Sequence, residues 1–339
     1  MECFLDLTSI PFLWIQLILL ASIIVFSATY LTKSADVIAI KTGLGRSFVG
    51  VVMLATATSL PELGTGITSV VVISGYEGVN LAAGDVFGSN IFNLLIIGLL
   101  DIFWKNGSIF KSVTNQSIPV GLFGIFLVFI SIVAILFHKN FDLFGDFYLS
   151  PISIILIMVF GFSMYYLFKN QDSSTDLKES YANSSLYGAF RNYFIAASVI
   201  VAAAFLLVYT SDSLSVKMNW EHGFVGTQFL ALCTSLPELA ASIAAIRIMA
   251  PQLAITNLLG SNIFNIGFVL FLDDVFYLES PIWGLFSYIH LLTACISIAM
   301  TLIVLSPITR TKLLGQFSMP AMILIFLYGI TSFLVFTMA

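Results

Sequence analysis

The sequence predicts an all-α polytopic membrane protein: ten transmembrane helices arranged as two inverted five-helix repeats with broken motif helices. Three observations carry this expectation. Of the 339 residues, 59% are hydrophobic and 9% charged, whereas soluble domains carry roughly a quarter charged residues. Apolar runs of about 20 residues, the length that crosses a ~30 Å hydrocarbon core, follow one another with short polar breaks. Finally, Thr58-Ser59-Leu60-Pro61-Glu62-Leu63 recurs as Thr234-Ser235-Leu236-Pro237-Glu238-Leu239, which puts one carboxylate beside a proline at membrane depth in each half.

The first span runs from Phe12 to Thr32. Ahead of it, Met1 to Ile10 holds two acidic residues and no basic stretch, so no cleaved signal peptide is expected. Ser47 to Gly75 carries the first hexapeptide, and Val79 to Trp104 carries Gly88-Ser89-Asn90-Ile91-Phe92-Asn93. Ile118 to His138 and Phe147 to Phe168 are apolar spans without Asp, Glu, Lys or Arg. The polar stretch Asn170 to Gly188 then reads as a linker, which gives a first repeat over 1–169, a cytoplasmic linker over 170–190 and a second repeat over 191–339. The second half offers Tyr193 to Ser213, Gly223 to Ala250, Pro251 to Tyr277, Trp283 to Ser306 and Leu313 to Met338. Trp14, Trp104, Trp220 and Trp283 fall near predicted span ends, where indole rings favour the headgroup layer.

The repeat extends beyond the hexapeptide. Phe48-Val49-Gly50 matches Phe224-Val225-Gly226, and Gly88 to Asn93 matches Gly260-Ser261-Asn262-Ile263-Phe264-Asn265. Glu62 and Glu238 are 176 positions apart and Gly88 and Gly260 are 172 apart, so a four-residue difference is expected in the turn after the first motif helix. Five spans per half, an odd number, make the second copy enter the membrane from the opposite side, the architecture of secondary transporters whose site lies where the repeats meet. With the N-terminus outside, the inner side collects Lys33, Lys41, Arg46, Lys105, Lys111, Lys169, Lys178, Arg191, Arg247, Arg310 and Lys312, and the outer side only Lys139 and Lys217. Eleven against two satisfies the positive-inside rule, placing both termini outside an integral protein of the cell (plasma) membrane. The outer loops are acidic, with Asp142, Asp146, Asp212, Glu221, Asp273, Asp274 and Glu279.

Other function classes find little footing. The net charge of −5 gives no basic surface for nucleic acid. Cys3, Cys233 and Cys295 show no paired spacing for a disulfide framework or a zinc site. His138, His222 and His290 sit near predicted interfaces and form no cluster. No phosphate-binding loop and no HExxH metalloprotease signature is present, so neither an enzyme nor a bound cofactor is expected. The partners are inorganic cations and the lipid bilayer.

The motif itself points to a cation. Proline in a helix removes one backbone hydrogen bond and clashes with the carbonyl four residues back, so Pro61 and Pro237 should break their helices and free the carbonyls of Ala57 and Cys233. Irregular backbone at membrane depth is tolerated where it lines a cavity or is buried in protein, and an intramembrane carboxylate is a functional-site hypothesis by default. Thr58 and Glu62 are four residues apart, as are Thr234 and Glu238, so each pair shares a helix face. Ser89 with Asn93, and Ser261 with Asn265, repeat that spacing on the following helix. Oxygen-only ligands favour Ca²⁺, Na⁺ or Mg²⁺ over Zn²⁺ or Cu⁺. Asp85 faces Asn257 in the repeat alignment and reads as a helix-start charge stabilised by the dipole or a vestibule residue.

These residues resemble the two α-repeats of the cation/Ca²⁺ exchanger superfamily, and most closely the prokaryotic sodium/calcium exchangers, over essentially the whole chain. The resemblance implies an antiporter that exchanges Na⁺ for Ca²⁺ by alternating access. It implies a Ca²⁺ site from Glu62, Glu238, Thr58 and Thr234, and flanking Na⁺ sites from Ser59, Ser235, Ser89, Ser261 and the backbone oxygens of Ala55 and Ala231, with Asn93 and Asn265 completing the centre. It also implies that the first and sixth spans slide across a fixed core, with which small residues such as Ala196, Ala197 and Ala202 to Ala204 are compatible. Three features depart from the family pattern. Asn265 stands where some prokaryotic members carry aspartate, Ala57 and Cys233 replace the glycine before each motif, and Thr256-Asn257 replaces the Gly84-Asp85 type of helix start. The alternatives are the same fold coupled to H⁺ or K⁺, or carrying Mn²⁺ or Mg²⁺, and, less favoured, a cation channel.

Overall fold

The computed structural model describes residues 9–42, 54–113, 117–141, 148–170, 185–247, 249, 251–306, 312–313 and 317–338. The expectations for Cys3, Arg46, Phe48-Val49-Gly50, Asp142, Asp146, Lys178, Arg310 and most of the linker lie outside the described residues.

Among the described residues the regular structure is helical, apart from a two-residue antiparallel ladder, β1 (Lys312–Leu313) with β2 (Phe317–Ser318). Among the described residues the α-helices are, in chain order, α1 (Ile10–Thr42), α2 (Ala55–Thr58), α3 (Leu60–Thr68), α4 (Gly75–Phe103), α5 (Ser117–Asn140), α6 (Pro151–Lys169) and α7 (Leu186–Met218). They continue with α8 (His222–Val225), α9 (Ala231–Thr234), α10 (Leu236–Arg247), α11 (Pro251–Phe264), α12 (Leu270–Phe276), α13 (Ile289–Leu305) and α14 (Met319–Met338). Among the described residues seven helices are long and apolar enough to cross a membrane, and the pair His222–Thr234 and Leu236–Arg247 makes one more span bent by 40°. Two shorter apolar helices, Leu60–Ile73 and Ile289–Leu305, accompany them.

The breaks fall at the prolines. Ser59 (φ −88°, ψ 10°) separates α2 from α3, and Ser235 (φ −87°, ψ 2°) separates α9 from α10. Each serine sits two residues before a proline, which starts a helix well because its missing N–H is not needed there. Wide π turns occupy Gly226–Leu230 and Asn265–Val269, and each inserts one extra residue into its helix.

Burial sorts the helices into a centre and a shell. The apolar windows of α4 and of Pro251–Phe276 are 83% buried, against 17% for α6 and 22% for α14. The shell helices are nevertheless at least as hydropathic, and they expose Phe129, Phe162, Phe194 and Phe333, an apolar surface suited to lipid rather than water. The helices carrying the repeated GSNIFN blocks are thus the core of the bundle. The 33-residue helices α1 and α7 pair along their length and share a second apolar cluster with Leu17, Ile24, Leu207 and Val208, distinct from the main one. At 1.5 Å per residue each is roughly 50 Å long, so both reach well past a ~30 Å hydrocarbon core.

Four sequence expectations change. Trp283 is fully buried and donates from Nε1 to Ser153 Oγ at 2.7 Å, because the turn Ile282–Gly284 folds back over the bundle. Trp104 is buried as well, so only Trp14 and Trp220, whose rings meet edge to face at 6.4 Å, remain partly exposed. His290 is buried, with Nε2 3.0 Å from Asn80 Oδ1 and its ring stacked on Phe87. Asp273 and Asp274, expected in a loop, are buried on α12.

Candidate cation site

Glu62 and Glu238 open α3 and α10, directly after the proline breaks, and both are completely buried. Their partners are exchanged between the halves. Ser59 Oγ donates to Glu238 Oε1 at 3.0 Å, and Ser235 Oγ donates to Glu62 Oε1 at 3.2 Å. Ser261 Oγ also donates to Glu238 Oε1, at 3.2 Å. A second exchanged pair lies beside the first, with Thr58 Oγ1 and Ser261 Oγ 3.4 Å apart and Ser89 Oγ and Thr234 Oγ1 also 3.4 Å apart. Among the described residues the side-chain partners of these carboxylates are hydroxyls, not cationic groups.

Donors are scarce in this cluster. Oε2 of Glu62 and of Glu238, Oδ1 of Asn93 and both amide atoms of Asn265 are buried without a hydrogen-bond partner. Leaving such groups unmatched costs about 1–3 kcal/mol each, more for a charge. The two carboxylates, each bonded to the other half's serine, also repel one another as like charges in a poorly screened interior. A hard cation among these oxygens answers both deficits at once, which a packed polar core would not need. Among the described residues no three His, Cys, Asp or Glu side chains gather into a metal site; the convergent set is two carboxylates with hydroxyls, amides and carbonyls.

The backbone comes close enough to contribute. Ala231 O accepts from Ser235 N at 3.0 Å and from Ser89 Oγ at 3.5 Å, while Ala55 O accepts from Ser59 N at 2.9 Å and from Thr58 Oγ1 at 3.3 Å. This approach depends on Gly88, where a Cβ would lie 2.6 Å from Thr227 O and 2.8 Å from Ala231 Cβ. The structure therefore brings Glu62, Glu238, Thr58, Thr234, Ser59, Ser235, Ser89 and Ser261 into one network. Asn93 and Asn265 are buried nearby, and Asn93 Nδ2 donates to Asn262 Oδ1 at 3.0 Å.

Asp85 belongs to this network rather than to a helix start. It lies ten residues into α4 and is completely buried. Oδ1 accepts from Thr234 Oγ1 at 2.8 Å, and Oδ2 accepts from Thr65 Oγ1. The signal was available, since Asp85, Ser89 and Asn93 are spaced by four and share one face. Asp273 and Asn262 were missed as well, Asp273 because the π turn ahead of it rotates α12 in a way no sequence spacing announces.

Asp101 and Asp274 mark what a structural carboxylate looks like. Asp101 accepts from Ile109 N at 2.6 Å and from Ser318 N, at the start of α14 in the other half, at 3.2 Å. Asp274 accepts from Ile282 N at 2.8 Å, and from Ser150 N at 3.0 Å and Ser153 Oγ at 2.6 Å at the start of α6 in the other half. The two are 173 positions apart rather than 172, and the residue added by the π turn Asn265–Val269 accounts for the shift.

The family description "Sodium/calcium exchanger protein" matches residues 12–169 and 193–337. The chain belongs to that family. It is 28% identical over 301 residues to the sodium/calcium exchanger MaX1 of Methanosarcina acetivorans, covering 77% of this chain and 83% of that one. It is 27% identical over 253 residues to the inner membrane protein YrbG of Escherichia coli, covering 73% and 75%. Among solved structures it resembles the sodium-calcium exchanger NCX_Mj at a TM-score of 0.62, with 19% identity over 94% of this chain and 97% of that one. It resembles the H⁺/Ca²⁺ exchanger CAX at 0.71, with 12% identity over 96% and 85%. At these identities the structural likeness speaks for the fold alone. The chain is thus an integral membrane protein of a family of cation/Ca²⁺ exchangers.

Proposed function

We propose that this chain is a secondary antiporter that exchanges Na⁺ for Ca²⁺ by alternating access. The observation that carries the proposal is the exchange of partners between halves, Ser59 with Glu238 and Ser235 with Glu62, because it makes the two motifs one oxygen-lined site. Glu62 and Glu238 balance the two charges of Ca²⁺, with Thr58 and Thr234 as neighbouring ligands. Ser59, Ser235, Ser89, Ser261 and the carbonyls of Ala55 and Ala231 serve Na⁺, and Asn93 and Asn265 complete the centre. The site is built from ten spans in two inverted repeats, 1–169 and 191–339, joined by a cytoplasmic linker over 170–190. Both termini face outward from the cell membrane, as the eleven-to-two distribution of basic residues argues.

Alternating access needs a part that moves. The pair α1 and α7, packed against each other along their length, is suited to slide as a unit past the buried α4 and α11, in the manner of transporters whose site stays fixed while access changes. The test is ⁴⁵Ca²⁺ uptake into proteoliposomes with Na⁺, K⁺ or H⁺ gradients imposed in turn. Uptake driven by an outward-directed Na⁺ gradient is expected. Uptake driven by a pH gradient without sodium would transfer the coupling to protons, and unitary currents would mark a channel.

A further inference from the structure

Asp85 and Asp273 form a second acidic locus, displaced from the glutamates toward the end of the bundle where α4 begins and α12 ends. Asp273 is completely buried, neither of its carboxylate oxygens has a hydrogen-bond partner, and it lies within electrostatic reach of Asp85. Its carboxylate faces Gly66, where a Cβ would stand 2.5 Å from Oδ1 and 2.9 Å from Oδ2. The preceding residue, Thr65, bonds Asp85, so the pair Thr65-Gly66 is flanked by a carboxylate on either side. Thr65 Oγ1 also lies 3.0 Å from the carbonyls of Pro61 and Glu62, and its single proton cannot serve all three acceptors. Neither aspartate has an acidic equivalent in the opposite half. Asn257 matches Asp85, and after the π turn Leu100 matches Asp273.

We propose that Asp85, Asp273 and the Thr65 hydroxyl form an accessory site for a monovalent alkali cation. Hydroxyl donors already serve both oxygens of Asp85, whereas neither oxygen of Asp273 has a partner, so one positive charge answers the unmet carboxylate. The oxygens are too few for the six to eight ligands that Ca²⁺ takes. Gly66 makes room for the Asp273 carboxylate itself next to Thr65, and the absence of an acidic counterpart in the opposite half makes the site one-sided. The proposal goes beyond the antiport reading: it names a locus that adjoins the central site through Asp85 and Thr234 and adds Asp273 and Thr65, which that reading does not use.

The test uses the purified full-length chain carrying both Glu62→Gln and Glu238→Gln, with equilibrium binding of ²²Na⁺ and, in a parallel arm, ⁸⁶Rb⁺ in choline buffer. A saturable alkali component is expected, weakened about tenfold or more by adding Asp273→Asn or Asp85→Asn. Asn keeps the shape and removes a buried charge, so these proteins should stay monodisperse. Gly66→Ala supplies an independent variant, since its methyl group intrudes on the carboxylate and should weaken the same component. An isotherm for either isotope that none of the three substitutions changes, or no saturable binding of either ion, overturns the proposal and leaves Asp273 a protonated acid. Loss of ⁴⁵Ca²⁺ binding in the double glutamine variant is read separately and bears on the central site alone.

Discussion

Asp274 and Asp273 are neighbours on the same short helix, equally buried, and differ completely in what surrounds them. Asp274 accepts three hydrogen bonds, two of them from the backbone N–H groups of Ile282 and Ser150, while Asp273 accepts none. The same contrast separates Asp101, which has two backbone donors, from Glu62 and Glu238, each with one oxygen unmatched. A buried carboxylate supplied with backbone donors holds the fold together, since those donors would be orphaned without it. One supplied with few donors or none is stable only if something else brings positive charge. Burial and acidity alone do not distinguish the two kinds; the donor count does.

The sharpest way to break this distinction is at the glutamates. Glu62→Gln or Glu238→Gln should reduce Na⁺-dependent ⁴⁵Ca²⁺ flux by about a hundredfold or more, given roughly 1.4 kcal/mol per tenfold and the loss of one of two charges, while the protein still folds. Wild-type flux in either variant would falsify the assignment of the central site. Asp274→Ala should do the reverse. Three orphaned donors at about 1–3 kcal/mol each predict a large fall in thermal stability, measured by fluorescence-detected unfolding, with Ca²⁺ affinity kept in the fraction that remains folded. If Ca²⁺ affinity collapses while stability holds, the donor-count criterion fails.

Asp101→Ala gives a smaller version of the same effect, because two donors rather than three are orphaned; a melting temperature below that of Asp274→Ala would contradict the ranking. The mildest change is Asn265→Asp, which adds a third carboxylate to the centre. It should keep Ca²⁺ binding and alter the sodium titration of ⁴⁵Ca²⁺ flux, and an unchanged titration would show that this position does not tune sodium.

Much of the fold was legible because the bilayer imposes simple demands. Apolar runs of the right length located the helical segments, and a proline beside each glutamate located the breaks that the structure places at Ser59 and Ser235. A spacing of four put Thr58 with Glu62, Thr234 with Glu238, Ser89 with Asn93 and Ser261 with Asn265 on shared helix faces. Asp85 was legible by that same rule but was set aside because its repeat partner is an amide. The lengths of α1 and α7, the inward turn of Trp283 and the burial of Asp273 were not legible, since each depends on what packs alongside.

The sequence by itself determined that this chain lies in a membrane, that it is duplicated, and that each half contributes one carboxylate beside a helix break, because hydropathy, repetition and proline act locally. Only the tertiary structure decided which oxygens meet. Serines of one half reach glutamates of the other, one extra residue in a π turn sends Asp274 to backbone donors and leaves Asp273 without any, and Gly66 lets that carboxylate in. Those outcomes follow from close packing between segments far apart in the chain, where the placement of a single methyl group or a single added residue decides whether a buried charge finds a partner.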